Sequence, residues 1–183
     1  MACAAIVLPK MFKKNAGKYL ENWIDWANQQ YLDRGLAVVT KIPTPWIVQR
    51  KYSPYTKTYE IARAFPEKKS TVDFGGTSQT FSIWFDAKVT KNKTSFPLVN
   101  IHQHQIEYLK MVQAQGGKAF FLIHAELKQK TWLLWIEQLL EFIRIAKRKS
   151  IPFEWLDQNC AEIRSRNGIV LDYLSEVLKQ KEG

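Results

Sequence analysis

At 183 residues, with a formal net charge of +10 and a pI near 9.6, the chain is sized for one folded unit whose field favours a polyanionic partner. Hydrophobic residues make up 46% of it, enough for a sizeable core, but no apolar run is long enough to span a bilayer and no acyl-anchor pattern is present, which argues against a membrane role. Cys3 and Cys160 stand far apart without His or Cys neighbours at zinc spacing, so neither a disulfide framework nor a structural zinc is suggested and a reducing cytoplasm is expected.

From Met1 to Lys14 the brief apolar stretch Ala2 to Leu8 precedes its positive charges, the wrong order for a secretory signal. Tyr19, Trp23, Trp26, Ala27 and Tyr31 recur at helical spacing and predict a helix from Lys18 to Asp33, stopped near Gly35. A β-rich run from Leu36 to Thr40 predicts a strand, which Pro43 and Pro45 then interrupt. Residues 46–69 interleave cations with aromatics around a turn at Ser53-Pro54. Alternation along its second arm, Thr56 to Phe65, puts Lys57, Tyr59, Ile61, Arg63 and Phe65 on one face. Arg50, Lys51, Lys57 and Arg63 suit phosphates, and rings such as Tyr59 suit stacking on unpaired bases; the plainer alternative is an edge hairpin kept soluble by its charges.

Further strands are predicted over Phe81 to Lys88, Ala119 to His124 and Thr131 to Trp135. Helices are predicted over Asn100 to Gln115, closed by Gly116-Gly117, and over Ile136 to Arg148. The part from Pro152 onward reads as helical with a break at Asn167-Gly168. Trp23, Trp26, Trp132 and Trp135 are read as packing residues. The sum is an α/β core with flanking helices and no internal repeat.

The chemistry concentrates between Ser70 and Lys88. A strand alternates faces, so Asp86 and Lys88 share one while Ala87 points to the other. Gly75 and Gly76 are read as turn residues that fold the strand carrying Asp73 back beside the next, bringing its carboxylate to the same site. Two carboxylates and an ammonium suit a divalent metal that activates water for phosphodiester hydrolysis. Acid-x-lysine also occurs at Glu67-Lys68-Lys69 and Glu126-Leu127-Lys128, but neither has an upstream acid in a strand-turn setting. His102 and His104, two apart on a predicted helix, are expected to face different ways and not to form a joint zinc site.

The continuation Val89 to Leu98, with its Lys91-Asn92-Lys93-Thr94-Ser95-Phe96-Pro97 run, and then His102-Gln103-His104-Gln105-Ile106, resembles the RecU family of Holliday-junction resolvases. Asn15, Gly17 and Glu21, then Gly35 through Lys41-Ile42-Pro43-Thr44-Pro45, and Thr71 to Asp73 extend the resemblance over about residues 15 to 125; the last third is similar only loosely. The resemblance implies a restriction-endonuclease-like α/β fold with a mixed central sheet flanked by helices, a single nuclease domain over 1–183. It also implies that residues 46–69 form a projecting basic stalk that enters a junction's open centre.

It further implies Mg²⁺, with Mn²⁺ able to substitute, held by Asp73, Asp86 and the Ala87 carbonyl, with Lys88 orienting the water or neutralising developing charge. Lys91 and Lys93 would hold the DNA backbone, with Thr94 and Ser95 as hydroxyl donors. Gln105 matches a family glutamine and is either a contact to a phosphate or to metal-bound water, or a surface residue. Glu21 is either a further member of the site or part of a solvated face beside Lys18. The family usually has glutamate where this chain has Asp86, a ligand shorter by about one methylene. Expected partners are four-way and branched DNA, a second copy in a homodimer, and recombination proteins of the host. The short stretch before Asn15 suits a phage-borne member acting in an infected bacterium. A restriction-type or repair endonuclease on duplex DNA, and a non-catalytic DNA-binding recombination protein, remain alternatives.

Overall fold

The computed structural model describes residues 16–66, 71–79 and 81–180, so the N-terminal stretch, Lys68, Lys69 and Glu67 of the first acid-x-lysine match lie outside the described residues. Elements follow the order α1 (Ala16–Asp33), β1 (Val38–Lys41), β2 (Trp46–Ser53), β3 (Thr58–Pro66), β4 (Phe74–Ser78), β5 (Phe81–Thr90) and β6 (Ser95–Pro97). A single 3-10 turn, Leu98–Asn100, leads to α2 (Gln103–Ala114), β7 (Lys118–Ala125), β8 (Lys130–Trp135), α3 (Ile136–Ala146), β9 (Ser150–Pro152), α4 (Phe153–Asn159), β10 (Ala161–Ile163) and α5 (Leu174–Lys179).

Six strands form one sheet in the order β1-β4-β5-β7-β8-β10. Only β5 and β7 run parallel, from Ile83 opposite Lys118 to Thr90 opposite Ala125, because β6 and α2 provide the crossover a parallel pair needs. The other neighbours are antiparallel, so the sheet is mixed, as expected. Its two faces carry separate apolar layers. Leu20, Ile24, Ala27 and Tyr31 of α1 meet Phe85, Phe120 and Leu122 on one face, together with Tyr173, Leu174 and Val177 near the C-terminus. Leu109 of α2, Leu139 of α3 and Leu156 of α4 meet Phe121, Ile123 and Leu134 on the other. Covered on both sides, β7 is buried from Ala119 to Ala125, which explains its continuous apolar sequence.

Several expectations change. Gly75 and Gly76 lie inside β4 instead of a turn; the reversal comes later, beyond Ser78, with Gln79 at φ 50°. Close approach explains the glycine at Gly76, since a Cβ there would meet the Val38 carbonyl oxygen at 2.1 Å. Trp26 is 58% exposed, because the buried stripe of α1 runs through Leu20, Ile24, Ala27 and Tyr31. The stretch from Pro152 onward is not uniformly helical: β9, which ends at Pro152, pairs with β6, β10 joins the main sheet, and among the described residues only α4 and α5 are helices there.

Among the described residues, 46 to 66 form a hairpin whose two strands pair only with each other, and Tyr55 at its tip is 99% exposed. Its register holds Tyr52 opposite Tyr59 and Arg50 opposite Ile61, then slips so that Gln49 faces Arg63. The extra residue, Ala62, reverses the alternation. Arg63 and Phe65 therefore share a face with Gln49 and Lys51, not with Tyr59 and Ile61, and Lys57 sits in the left-handed turn at φ 52°.

Candidate active site

Antiparallel pairing of β4 with β5 sets Phe74 opposite Phe85, which places Asp73, one residue before the strand, across from Asp86. Asp73 is fixed twice: its carbonyl accepts from the Ile42 N–H at 2.8 Å, and its Oδ2 accepts from the Ala87 N–H at 3.1 Å. Asp86 is fully buried on the α2 face of β5, where its Oδ1 accepts from Gln105 Nε2 at 2.5 Å. Gln105 is itself buried, and its Oε1 accepts from the His102 N–H at 3.1 Å, so the amide cannot swing away without losing both bonds. Lys88 projects from the same face as Asp86, its Nζ 2.7 Å from Asp86 Oδ2. That oxygen nonetheless receives no aligned hydrogen bond among the described residues.

Burial first and the neighbouring Asp73 second push the Asp86 carboxyl up to about 7, although Lys88 pulls in the opposite direction. Two acids forced together, one oxygen of the pair buried without a hydrogen-bond donor, make a donor set that a small hard cation would relieve. The residues present fit Mg²⁺, which binds protein through one or two carboxylates and retains waters, more closely than a closed protein cage. No cluster of three or more His, Cys, Asp or Glu suited to a metal exists among the described residues.

Asp73, Asp86, Lys88 and Gln105 are thus brought together, with Ala87 between them. Glu21 pairs with Lys41, its carboxylate 2.5 Å from Nζ, and this bond lifts Lys41 above the usual lysine range. Lys41 pairs in register with Phe74, next to Asp73, and feels its charge. Nothing local in the sequence marks Lys41 for this place, because its closeness to Asp73 depends on the register of β1 against β4. Lys91 lies 3.9 Å from Glu126, the acid read as a chance match, while Lys93 and Thr94 are exposed and Ser95 opens β6. His102 and His104 do meet, with nearly parallel rings 5.5 Å apart, because His102 precedes α2 in extended conformation instead of sitting on the helix.

A family model described as Recombination protein U, RecU, matches residues 15–179. The chain belongs to the RecU family. Among curated RecU relatives, the Holliday junction resolvase RecU of Streptococcus sanguinis (strain SK36) is 36% identical over 168 residues, 91% of this chain and 84% of that protein. The Holliday junction resolvase RecU of Streptococcus pneumoniae (strain P1031) is 37% identical over 171 residues, 92% of this chain and 85% of the relative. The solved structure of Hjc, a Holliday junction resolvase of Archaeoglobus fulgidus, overlaps 63% of this chain and 74% of its own, with a TM-score of 0.34 and 7% identity. RecU membership spans the acid pair, the Lys88 strand, Gln105 and the hairpin alike.

Proposed function

We propose that this RecU-family chain is a Holliday-junction resolvase, a Mg²⁺-dependent endonuclease that cuts paired strands of four-way DNA junctions. The observation that carries the reading is the buried Asp86 facing Asp73, with Lys88 on the same strand face, in a chain whose curated relatives bear the name Holliday junction resolvase. Asp73, Asp86 and the Ala87 carbonyl would hold the metal, Mg²⁺ with Mn²⁺ able to substitute. When bound there it supplies positive charge to the scissile phosphate and lowers the pKa of water.

The chain's own residues prepare that chemistry. Gln105 fixes the Asp86 carboxylate in one rotamer, and the Ala87 N–H fixes that of Asp73, so neither must reorganise when a substrate arrives. Lys88 balances the acid pair in the resting protein and is placed to orient the attacking water or to meet charge growing on the phosphate. Lys91, Lys93, Thr94 and Ser95, following directly from the catalytic strand, would hold the backbone of the cut strand. The hairpin of β2 and β3, with Arg50, Lys51, Lys57, Tyr59 and Arg63, would serve as the stalk of a single nuclease domain and read the junction's centre. Resolution requires two cuts in strands of like polarity, which a two-fold homodimer supplies. A bacterial cytoplasm, where host recombination proteins meet branched DNA, is the proposed compartment; no described helix is long and apolar enough to cross a membrane.

Single-turnover cleavage of a junction by Asp73→Asn and Lys88→Ala tests the assignment. Asp73→Asn should lose cutting and keep junction affinity; Lys88→Ala should lose rate at unchanged affinity. Retained cleavage in Asp73→Asn sinks the acid pair as the reacting centre.

A further inference from the structure

Several cations on the body of the molecule are matched by carboxylates, among them Lys41 by Glu21, Lys130 by Asp157, Arg164 by Glu162 and Lys179 by Glu176. Lys147, Arg148 and Lys149 are not. They are consecutive and exposed, and no ion pair joins any of them among the described residues. The helix dipole accounts for one, since Lys147 caps the C-terminus of α3 in the left-handed conformation at φ 48°. Arg148 and Lys149 lie past the helix, on the chain entering β9.

The pairing of β9 with β6 gives this turn its place. Ser150 lies opposite Pro97 and Pro152 opposite Ser95, while the Leu98 N–H donates to the Lys149 carbonyl at 3.0 Å. At the other end of the small ribbon the Phe153 N–H donates to the Thr94 carbonyl at 2.9 Å, and Lys128 Nζ lies 5.3 Å from the centroid of the Phe153 ring. Lys93 and Lys128 thus flank one end of the ribbon and Lys147 to Lys149 the other, separated by three paired residues or roughly 10 Å. Successive phosphates of one DNA strand advance about 3.4 Å along the axis, so such a band spans a few backbone steps. Leu98 also leads in four residues to His102, whose N–H holds Gln105 against Asp86. At full extension of about 3.6 Å per residue, this tether keeps the Lys149 backbone within about 25 Å of the Asp86 carboxylate, less than one duplex turn of about 34 Å.

We propose that Lys147, Arg148 and Lys149 form a second DNA contact, separate from the stalk, that grips the phosphates of a duplex arm on its way to the acid pair. The inference rests on the junction-resolving reading and adds an arm contact to it. Because an arm is ordinary duplex, the contact serves junction and linear DNA alike, whereas the stalk serves the junction centre.

The test replaces Lys147, Arg148 and Lys149 together with alanine and measures affinity for a four-way junction and a linear duplex, without divalent metal, from roughly 50 to 200 mM salt. The expected result is weaker binding of both substrates and a log-log salt slope smaller by about 2 to 3, at ~0.9 per lost phosphate contact. A control with Lys18, Lys110 and Lys179 changed to alanine removes equal charge elsewhere and should keep a slope close to that of wild type. An unchanged slope in the Lys147–Lys149 variant, or an equal loss in the control, overturns the contact. If wild type binds and cuts junctions while this variant matches it, only the arm contact fails; if wild type binds neither substrate, the resolvase reading falls with it.

Discussion

Asp86 sits in an environment that opposes its own charge: a buried carboxylate beside a second carboxylate, with Lys88 as partial compensation. Its folded pKa, raised to about 7, means that stability is lost as pH rises from the ordinary aspartate value through neutrality, since the folded state holds the proton longer than the unfolded one. Metal-free Asp86→Asn should therefore melt above wild type at pH 8, with the gap closing near pH 4, and added Mg²⁺ should raise the melting temperature of wild type only; equal stabilisation of both would remove Asp86 from the ligand set. His124 shows the opposite sign. Burial against the Trp23 ring pushes its imidazole down to about 4, so its stabilisation is complete above pH 6.5 and fades on acidification through that value toward 4, by roughly 3 kcal/mol in all. Urea unfolding of His124→Gln should show a flatter pH dependence across this window. At this scale the acid pair and Lys88 were legible, because strand alternation alone puts Asp86 and Lys88 on one face. The Glu21 to Lys41 bond was not, because it joins side chains on two elements whose mutual position only packing decides.

Among the elements, the long strands and helices announced themselves by period: β7, β8, α2 and α3 begin and end within a few residues of their predicted bounds. The short ones did not. β6, β9 and β10 are three residues each, β6 and β9 both end in proline, and pairing with distant partners defines them. The bulge at Ala62 is likewise invisible in the sequence, since nothing local marks an extra residue, yet it moves Arg63 to the other face of the hairpin. Gly76→Ala tests the packing of β4 on β1: a methyl group directed at the Val38 backbone, which cannot rotate aside, should cost about 2 to 3 kcal/mol by chemical denaturation. For the hairpin of β2 and β3, joint replacement of Arg50, Lys51, Lys57 and Arg63 by alanine should weaken junction binding more than duplex binding and lower the salt slope. Stabilisation by Mg²⁺ should persist. Equal losses on both substrates would make the hairpin a general electrostatic contact, and no loss would make it an ordinary exposed ribbon.

For the whole molecule, a net charge of +10 and an isolated hairpin with large exposed side chains at Trp46, Tyr52, Tyr55, Tyr59 and Ile61 call for a polyanion that also offers flat apolar surface, as unstacked bases do. Composition indicated the partner class, and the motif run from Asp86 to Gln105 indicated the chemistry; neither encodes where a second copy would pair, because nothing in a surface stripe distinguishes dimer contact from solvent face. The central claim is that the acid pair cuts branched DNA by choice. Cleavage of a synthetic four-way junction and a linear duplex of equal length, in Mg²⁺ and in chelator, measures it directly. The account predicts paired cuts in junction strands of like polarity, dependent on Mg²⁺, with the duplex spared; equal cutting of both substrates, or cutting that survives chelation, would contradict it.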